Sequence, residues 1–243
     1  MTSLNGDNKA RYVSDMFDRI SSRYDLLNTL MSFGMHHLWR KKATSIATDG
    51  LTNAEVLDIA TGTGDFAIEL ASKPNVDKVV GLDFSINMLR IAKQKSERSQ
   101  SPQHEELYWL QGDALALPFP SNTFSSVTVG FGLRNFADIN YALSEMERIL
   151  LPGGRLVILE ITPINSIFPI SKLIKLYMNK IIPIMGRFIA RDIEGYTYLP
   201  ESVEGFLNAN ELALAMKNVN FENVNFRKLG FGTVAIHYGE KAD

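Results

Sequence analysis

Four short stretches carry residues that could do chemistry. DIATGTGDFA, residues 58–67, sets Gly62, Thr63 and Gly64 between a β-type run and a helical pattern; glycines there let a ligand approach the backbone, and a helix start offers it free amides. Asp83 ends the next β-type run, about twenty residues past the glycines, where a carboxylate can accept hydrogen bonds from both hydroxyls of a ribose. Asp113 and Ala114, in GDALALPFP, follow a third run, and the carboxylate oxygens or the following amide could reach an adenine edge. FGLRNFADI places Arg134 and Asn135 behind a fourth. A guanidinium at the carboxyl end of a buried strand loses hydration unless it meets an anion, a carboxylate such as Asp138, or a cavity.

Gly62, Gly64 and Ala67 also satisfy GxGxxA, so the glycine turn and Asp83 fit a NAD-dependent oxidoreductase as well as a protein that binds one adenosine. The acids near the ends of three successive strands, converging on one crevice, favour the single adenosine.

Short β-branched runs alternate with amphipathic helical patterns, and this alternation must position these residues. EVLDIA, KVVGLDF, LYWLQGD, SSVTVGF and RLVILEI read as five strands, with helices in DFAIELASK, SINMLRIAKQKSERS (capped by Ser85) and INYALSEMERIL, the last ended by a turn at LPGGR. Val13 to Arg40 reads as helix, turn and helix. After a long insertion, a helix near Asn210–Asn218 leads to NVNFRKLG and TVAIHYG, a terminal hairpin. The expected fold is α/β: a Rossmann-like, doubly wound, mostly parallel sheet with an antiparallel C-terminal hairpin strand, N-terminal helices and an insertion after strand five. Residues 1–243 are expected to form one domain, with 12–45 a helical lid and 163–205 a cap.

With 243 residues, 45% hydrophobic and 21% charged, the chain can bury a large core. A net charge of -2 and a pI of 6.1 give no general attraction to nucleic acid. The absence of cysteine excludes disulfides, thiolate zinc sites and thiol catalysis. No metal site is expected, because the 4 histidines are scattered apart from one adjacent pair whose side chains should diverge on a helix. The polar leader MTSLNGDNKA lacks a signal-type apolar run, so a cytoplasmic location is expected.

VLDIATGTGD, GLDFS, GDALALPFP and LLPGGRLVILE together resemble the class I S-adenosylmethionine-dependent methyltransferases along most of the chain. Two long segments narrow this: YDLLNTLMSFGMHHLWR (Tyr24 to Arg40) and FGLRNFAD (Phe131 to Asp138) resemble the signatures of the ubiquinone/menaquinone C-methyltransferase family. The resemblance implies S-adenosylmethionine as cofactor, with contacts on Thr63, Asp83, Asp113 and Ala114. It implies a polyprenyl quinol as substrate, methylated at a ring carbon: demethylmenaquinol to menaquinol, or a benzoquinol of the ubiquinone pathway. The chain departs from the family's usual pattern at Gly130, where a hydroxyl residue is common, at His37, where an arginine is common, and at Ala60, which replaces the first motif glycine.

Methylation of a quinol carbon requires the adjacent hydroxyl to lose its proton, so that charge is shared with the ortho carbon. Arg134 and Asn135 are then expected to act as donors to the developing oxyanion, an effect worth about 3 kcal/mol. His36 has a suitable intrinsic pKa for the base, and Tyr24 or Asp65 could orient a water; two histidines beside Trp39 equally suit a packed helix end. Tyr24 and Asn28 should share a helical face.

The insertion, PINSIFPISKLIKLYMNKIIPIMGRFIAR (Pro163 to Arg191), is apolar and basic without an acid, and its prolines rule out one long helix. It suits an anionic membrane surface, which would place the protein at the inner face of the membrane, but also a cap over the site or a homodimer interface. RDIEGYTYLPESV should close the pocket, with Tyr196 and Tyr198 as lining.

Overall fold

The computed structural model describes residues 7–98, 106–163, 176–181 and 193–243. The chain begins with α1 (Asp7–Ile20), a 3-10 turn (Ser21–Arg23), α2 (Tyr24–Ser32) and α3 (Met35–Thr48). The single turn expected within Val13–Arg40 is thus two breaks. The second is a corner of left-handed residues, Phe33 and Gly34. There follow β1 (Ala54–Ile59), α4 (Asp65–Ala71), β2 (Val76–Asp83), α5 (Ile86–Arg98), β3 (Leu107–Gln111), β4 (Phe124–Gly130), α6 (Ile139–Ile149) and β5 (Leu150–Ile161). The chain closes with α7 (Ile193–Glu204), α8 (Ala209–Asn218), β6 (Phe221–Leu229) and β7 (Val234–Lys241).

The sheet order is β3-β2-β1-β4-β5-β7-β6. The first five strands pair in parallel, and β7 joins β5 antiparallel with β6 outside it. The expected LPGGR turn is absorbed into β5 as an irregular start, with a register slip opposite Phe124–Ser126.

Alternation along the strands builds two cores. Leu57, Ile59, Val127, Val129, Leu156 and Ile158 face α6 and α8 on one side, while Val56, Val157, Leu159 and Ile236 face α3 and α4 on the other, because successive residues point to opposite faces. Helix α6 sends Ala142, Leu143, Met146 and Ile149 inward at helical spacing, and its first turn is capped by Asp138, whose carboxylate accepts the Tyr141 amide at 3.0 Å. A third cluster, Ile20 and Leu27 with Phe17, Tyr24, Met31, Tyr177 and Leu199, joins the N-terminal helices to residues 176–181 and α7. Helix α7 lies in the stretch expected to close the pocket and carries Pro200 in its interior, where proline removes a backbone donor.

Connections reverse direction between β1 and β4, and their carboxyl ends lie side by side, with Ile59 paired to Val129. This switch point is where open α/β sheets leave a crevice. Among the described residues no helix is long and apolar enough to cross a membrane.

Candidate functional site

Both strands at the switch point end in a left-handed residue, Ala60 (φ 52°) after β1 and Phe131 (φ 58°) after β4. The two turns touch: a Cβ on Gly132 would lie 2.6 Å from that of Ala60. Side chains with positive φ cost energy that surrounding packing must hold, and such strain gathers at ligand sites. Two cavities open from this point, of about 210 Å³ and about 120 Å³. Tyr24, Ala60, Gly62, Gly130 and Phe131 are among the residues that line both.

The smaller cavity is walled by Asp83, Phe84, Ser85, Asp113, Ala114 and Asn135 among others. Asp83 accepts the Gly62 amide at 2.7 Å and the Ser85 amide at 2.8 Å, one on each oxygen. Burial raises its pKa to about 6, partly offset by those amides. A side chain at Gly62 would find no atom within 4 Å, so the turn presents open backbone to the cavity. Gly64 differs: a Cβ there would meet the Trp109 ring at 2.5 Å, so its missing side chain serves packing and the φ of 81° at the start of α4. Asp113 turns one oxygen to the Leu115 amide at 2.9 Å. Hydrogen-bond acceptors and the half-exposed Phe84 ring thus face one cavity, an arrangement that could hold a nucleoside.

The larger cavity contains Tyr24, Asn28, His36, Asp58, Thr63 and Arg134 in its lining. Asp58, fully buried, accepts the hydroxyls of Thr61 at 2.6 Å and Thr128 at 2.7 Å; burial lifts its pKa to about 6 against those bonds. His36 is buried, with Nδ1 2.7 Å from the Ser32 hydroxyl. Burial, then the adjacent His37 and Arg40, lower its pKa to about 4. Burial raises the Tyr24 phenol above its ordinary value, so it is a donor at neutral pH.

Several expectations are corrected. Arg134 pairs with Glu160 at 2.7 Å, and not with Asp138, which is occupied as a helix cap. One signal for this partner is legible in the chain, an acid inside the apolar run RLVILEI. Arg134 and Asn135 do not line the same cavity: Arg134 faces the larger and Asn135 the smaller. They are consecutive in a 3-10 turn (Leu133–Asn135), where neighbouring side chains point about 120° apart. The Asn135 side chain accepts the Tyr198 hydroxyl at 3.1 Å. The adjacent histidines do not diverge; their ring centroids lie 3.9 Å apart. Gly130 leaves room for Phe66, whose ring carbon would lie 2.8 Å from any Cβ placed there.

Thr63 turns its hydroxyl to Asp25 of α2 at 2.6 Å. Lys95 joins Asp25 at 2.8 Å and also bonds Asp65, which Arg40 meets at 3.1 Å. Burial works to raise the Asp65 pKa, but Arg40 and Lys95 outweigh it and hold the carboxylate ionised, as a structural anion and not a base. Asp18 of α1 likewise accepts the Ser85 hydroxyl. Sequence reasoning missed Asp18, Asp25, Lys95 and Glu160, since their partners stand far away along the chain. Most of the basic insertion, including Lys172, Lys175 and Arg191, lies outside the described residues, as does the Tyr196 side chain; Tyr198 lines the larger cavity.

Comparison with known proteins places the chain in a family. The model of the ubiE/COQ5 methyltransferase family matches residues 5–241. A demethylmenaquinone methyltransferase of Thermus thermophilus is 43% identical over 226 residues, 93% of this chain and 100% of that one. One from Deinococcus radiodurans is 42% identical over 236 residues, 96% of this chain and 94% of that one. Among solved structures, a SAM dependent methyltransferase from Aquifex aeolicus superposes with a TM-score of 0.62 at 16% identity, covering 90% of this chain and 98% of that one.

Proposed function

Because the chain belongs to the ubiE/COQ5 methyltransferase family, we propose that it transfers a methyl group from S-adenosylmethionine to a ring carbon of a polyprenylated quinol, converting demethylmenaquinol to menaquinol in menaquinone biosynthesis. The junction of the two cavities carries this reading: a nucleoside cradle opens, past Tyr24, Gly62 and Phe131, into a larger chamber walled by His36 and Arg134. A dehydrogenase would need a second nucleotide site in that chamber, and its relatives' names do not support one.

The residues present fit the donor. Gly62 leaves backbone open where a Cβ would meet nothing, and Asp83, already fixed by two amides, has lone pairs left for ribose hydroxyls. Asp113 and Ala114 line the adenine end. When bound, S-adenosylmethionine supplies an electrophilic methyl group on a sulfonium.

The chain's own residues handle the quinol. His36, neutral above about pH 4, takes the hydroxyl proton, and the charge left on oxygen is shared with the ortho carbon that becomes nucleophilic. Arg134, its orientation fixed by Glu160, donates to that oxygen, and a donor so placed lowers a barrier by about 3 kcal/mol. Tyr24 donates and does not accept a proton at neutral pH. Asn135, held by Tyr198, shapes the junction from the nucleoside side. Helices within 12–45 act as the lid, latched by Asp18 to Ser85 and by Asp25 to Thr63 and Lys95.

The greasy tail leaves toward the membrane. Leu176 and Ile181, exposed beside the exposed cation Lys180, support contact of this segment with an anionic lipid surface. A homodimer through the same face is the competing use, and flotation with anionic vesicles together with sedimentation of the lipid-free protein distinguishes the two.

The reaction is tested by incubating the protein with S-adenosylmethionine and a short-tailed demethylnaphthoquinol, with the benzoquinol analogue in parallel. A naphthoquinol heavier by one methyl group is expected. Turnover of the benzoquinol alone would move the assignment to the ubiquinone pathway, and turnover of neither would overturn it.

A further inference from the structure

The α2–α3 corner places two residues in contact across a helix break. Phe33 (φ 51°) and Gly34 (φ 74°) are both left-handed, and they bring the last residue of α2, Ser32, against His36 near the start of α3. The Ser32 hydroxyl donates to the Asn28 carbonyl at 2.6 Å. It also lies 2.7 Å from His36 Nδ1, and the His36 amide points to the same oxygen at 3.4 Å.

A serine hydroxyl has one proton. Two oxygens 2.6 Å apart repel unless a proton lies between them, so the Ser32 proton is committed to Asn28. The hydrogen in the contact with His36 must then sit on Nδ1. We propose that Ser32 is a positioning residue which fixes His36 as the Nδ1–H tautomer and so makes Nε2 the basic nitrogen of the ring. Asn28 extends the chain in the other direction, since its side chain bonds the Tyr24 hydroxyl. Tyr24, Asn28, Ser32 and His36 thus form one connected wall of the larger cavity.

The surroundings keep the ring neutral, as a tautomer argument requires. Burial, the adjacent His37 and Arg40 all oppose the imidazolium; Asp65 and Asp25 favour it more weakly, and both are already paired with Lys95.

The catalytic part of this inference rests on the reading of His36 as the base. The test uses the full-length protein, the Ser32→Ala, Ser32→Thr and His36→Gln variants, and NMR of isotopically labelled imidazole nitrogens at neutral pH. In the parent, His36 Nδ1 should carry the hydrogen. Ser32→Ala should let the Nε2–H form appear and lower kcat about tenfold, a fraction of what a positioned general base contributes, with cofactor affinity and Tm nearly unchanged. Ser32→Thr should restore tautomer and rate together. An Nε2–H ring in the parent, or a Ser32→Ala protein with unaltered tautomer and kcat, would overturn the proposal. Unaltered kcat in His36→Gln would instead remove His36 as base, whatever tautomer the parent shows.

Discussion

The Arg134 guanidinium lies 2.7 Å from the Glu160 carboxylate, with the two side chains 6% and 0% exposed. This pair links the wall of the larger cavity to the interior of β5, so removing Arg134 does two things. It strands a buried carboxylate, which costs roughly 3 kcal/mol, and it removes the proposed oxyanion donor, which should lower kcat about a hundredfold with S-adenosylmethionine affinity nearly unchanged. Adding Glu160→Gln to Arg134→Ala separates the two effects. Thermal unfolding and single-turnover kinetics on the double variant should show most of the stability returned and the rate still low. Recovery of the rate along with stability would make Arg134 scaffold alone.

Asp83 without cofactor titrates near pH 6, raised by burial. In the proposed function ribose hydroxyls donate to the ionised carboxylate, so cofactor binding should favour that form. Isothermal titration calorimetry should find affinity constant above about pH 6 and falling about tenfold per unit below it. Asp83→Ala should cost roughly 2 kcal/mol of binding at neutral pH and abolish this acid limb. An unchanged affinity would remove Asp83 from the site.

Ala60 holds a φ of 52° where the general motif has glycine. Ala60→Gly should relieve that strain and raise stability by up to about 1 kcal/mol, the gain reduced by the extra freedom of glycine in the unfolded chain. Gly132→Ala should do the reverse, because its Cβ would sit 2.6 Å from that of Ala60. Urea unfolding of the two variants tests the pair; a destabilised Ala60→Gly protein would contradict the strain argument.

His237 is fully buried, and its Nε2 meets the Ala209 carbonyl at 2.8 Å. Burial lowers its pKa to about 4. The unfolded chain takes up this proton near pH 6.5 and the folded chain resists to about 4, so the unfolded state binds more protons between these values. The stabilisation is therefore whole above pH 6.5 and is lost as pH falls toward 4. Relative to His237→Gln, the parent should lose roughly 3 kcal/mol across that window. Asp58 and Asp83, raised to about 6, act in the opposite sense but cancel in the difference between the two proteins. Parallel stability profiles would show that His237 is not held neutral by the fold.

Local patterns in the chain carry the sheet and the crevice at the ends of β1 to β3. Strand alternation, the glycine turn and the acid at the end of β2 are local patterns, set by side-chain period and by what a few consecutive residues can do, so Gly62, Asp83, Asp113 and Ala114 were found as one group lining a shared crevice. Helix α7 forms in spite of Pro200, a local breaker, with Leu199 packed in the third cluster. The charge pairs depend on how the elements pack. Arg134 finds Glu160, and Lys95 gathers Asp25 and Asp65, from positions far apart in the chain. No periodicity encodes such pairs, because burial and the approach of separate elements choose a partner after the backbone is in place. The same holds for the corner at Phe33 and Gly34: SFGMHH marks a break, but only the folded backbone sets Ser32 on His36 and so decides which nitrogen of the ring is basic.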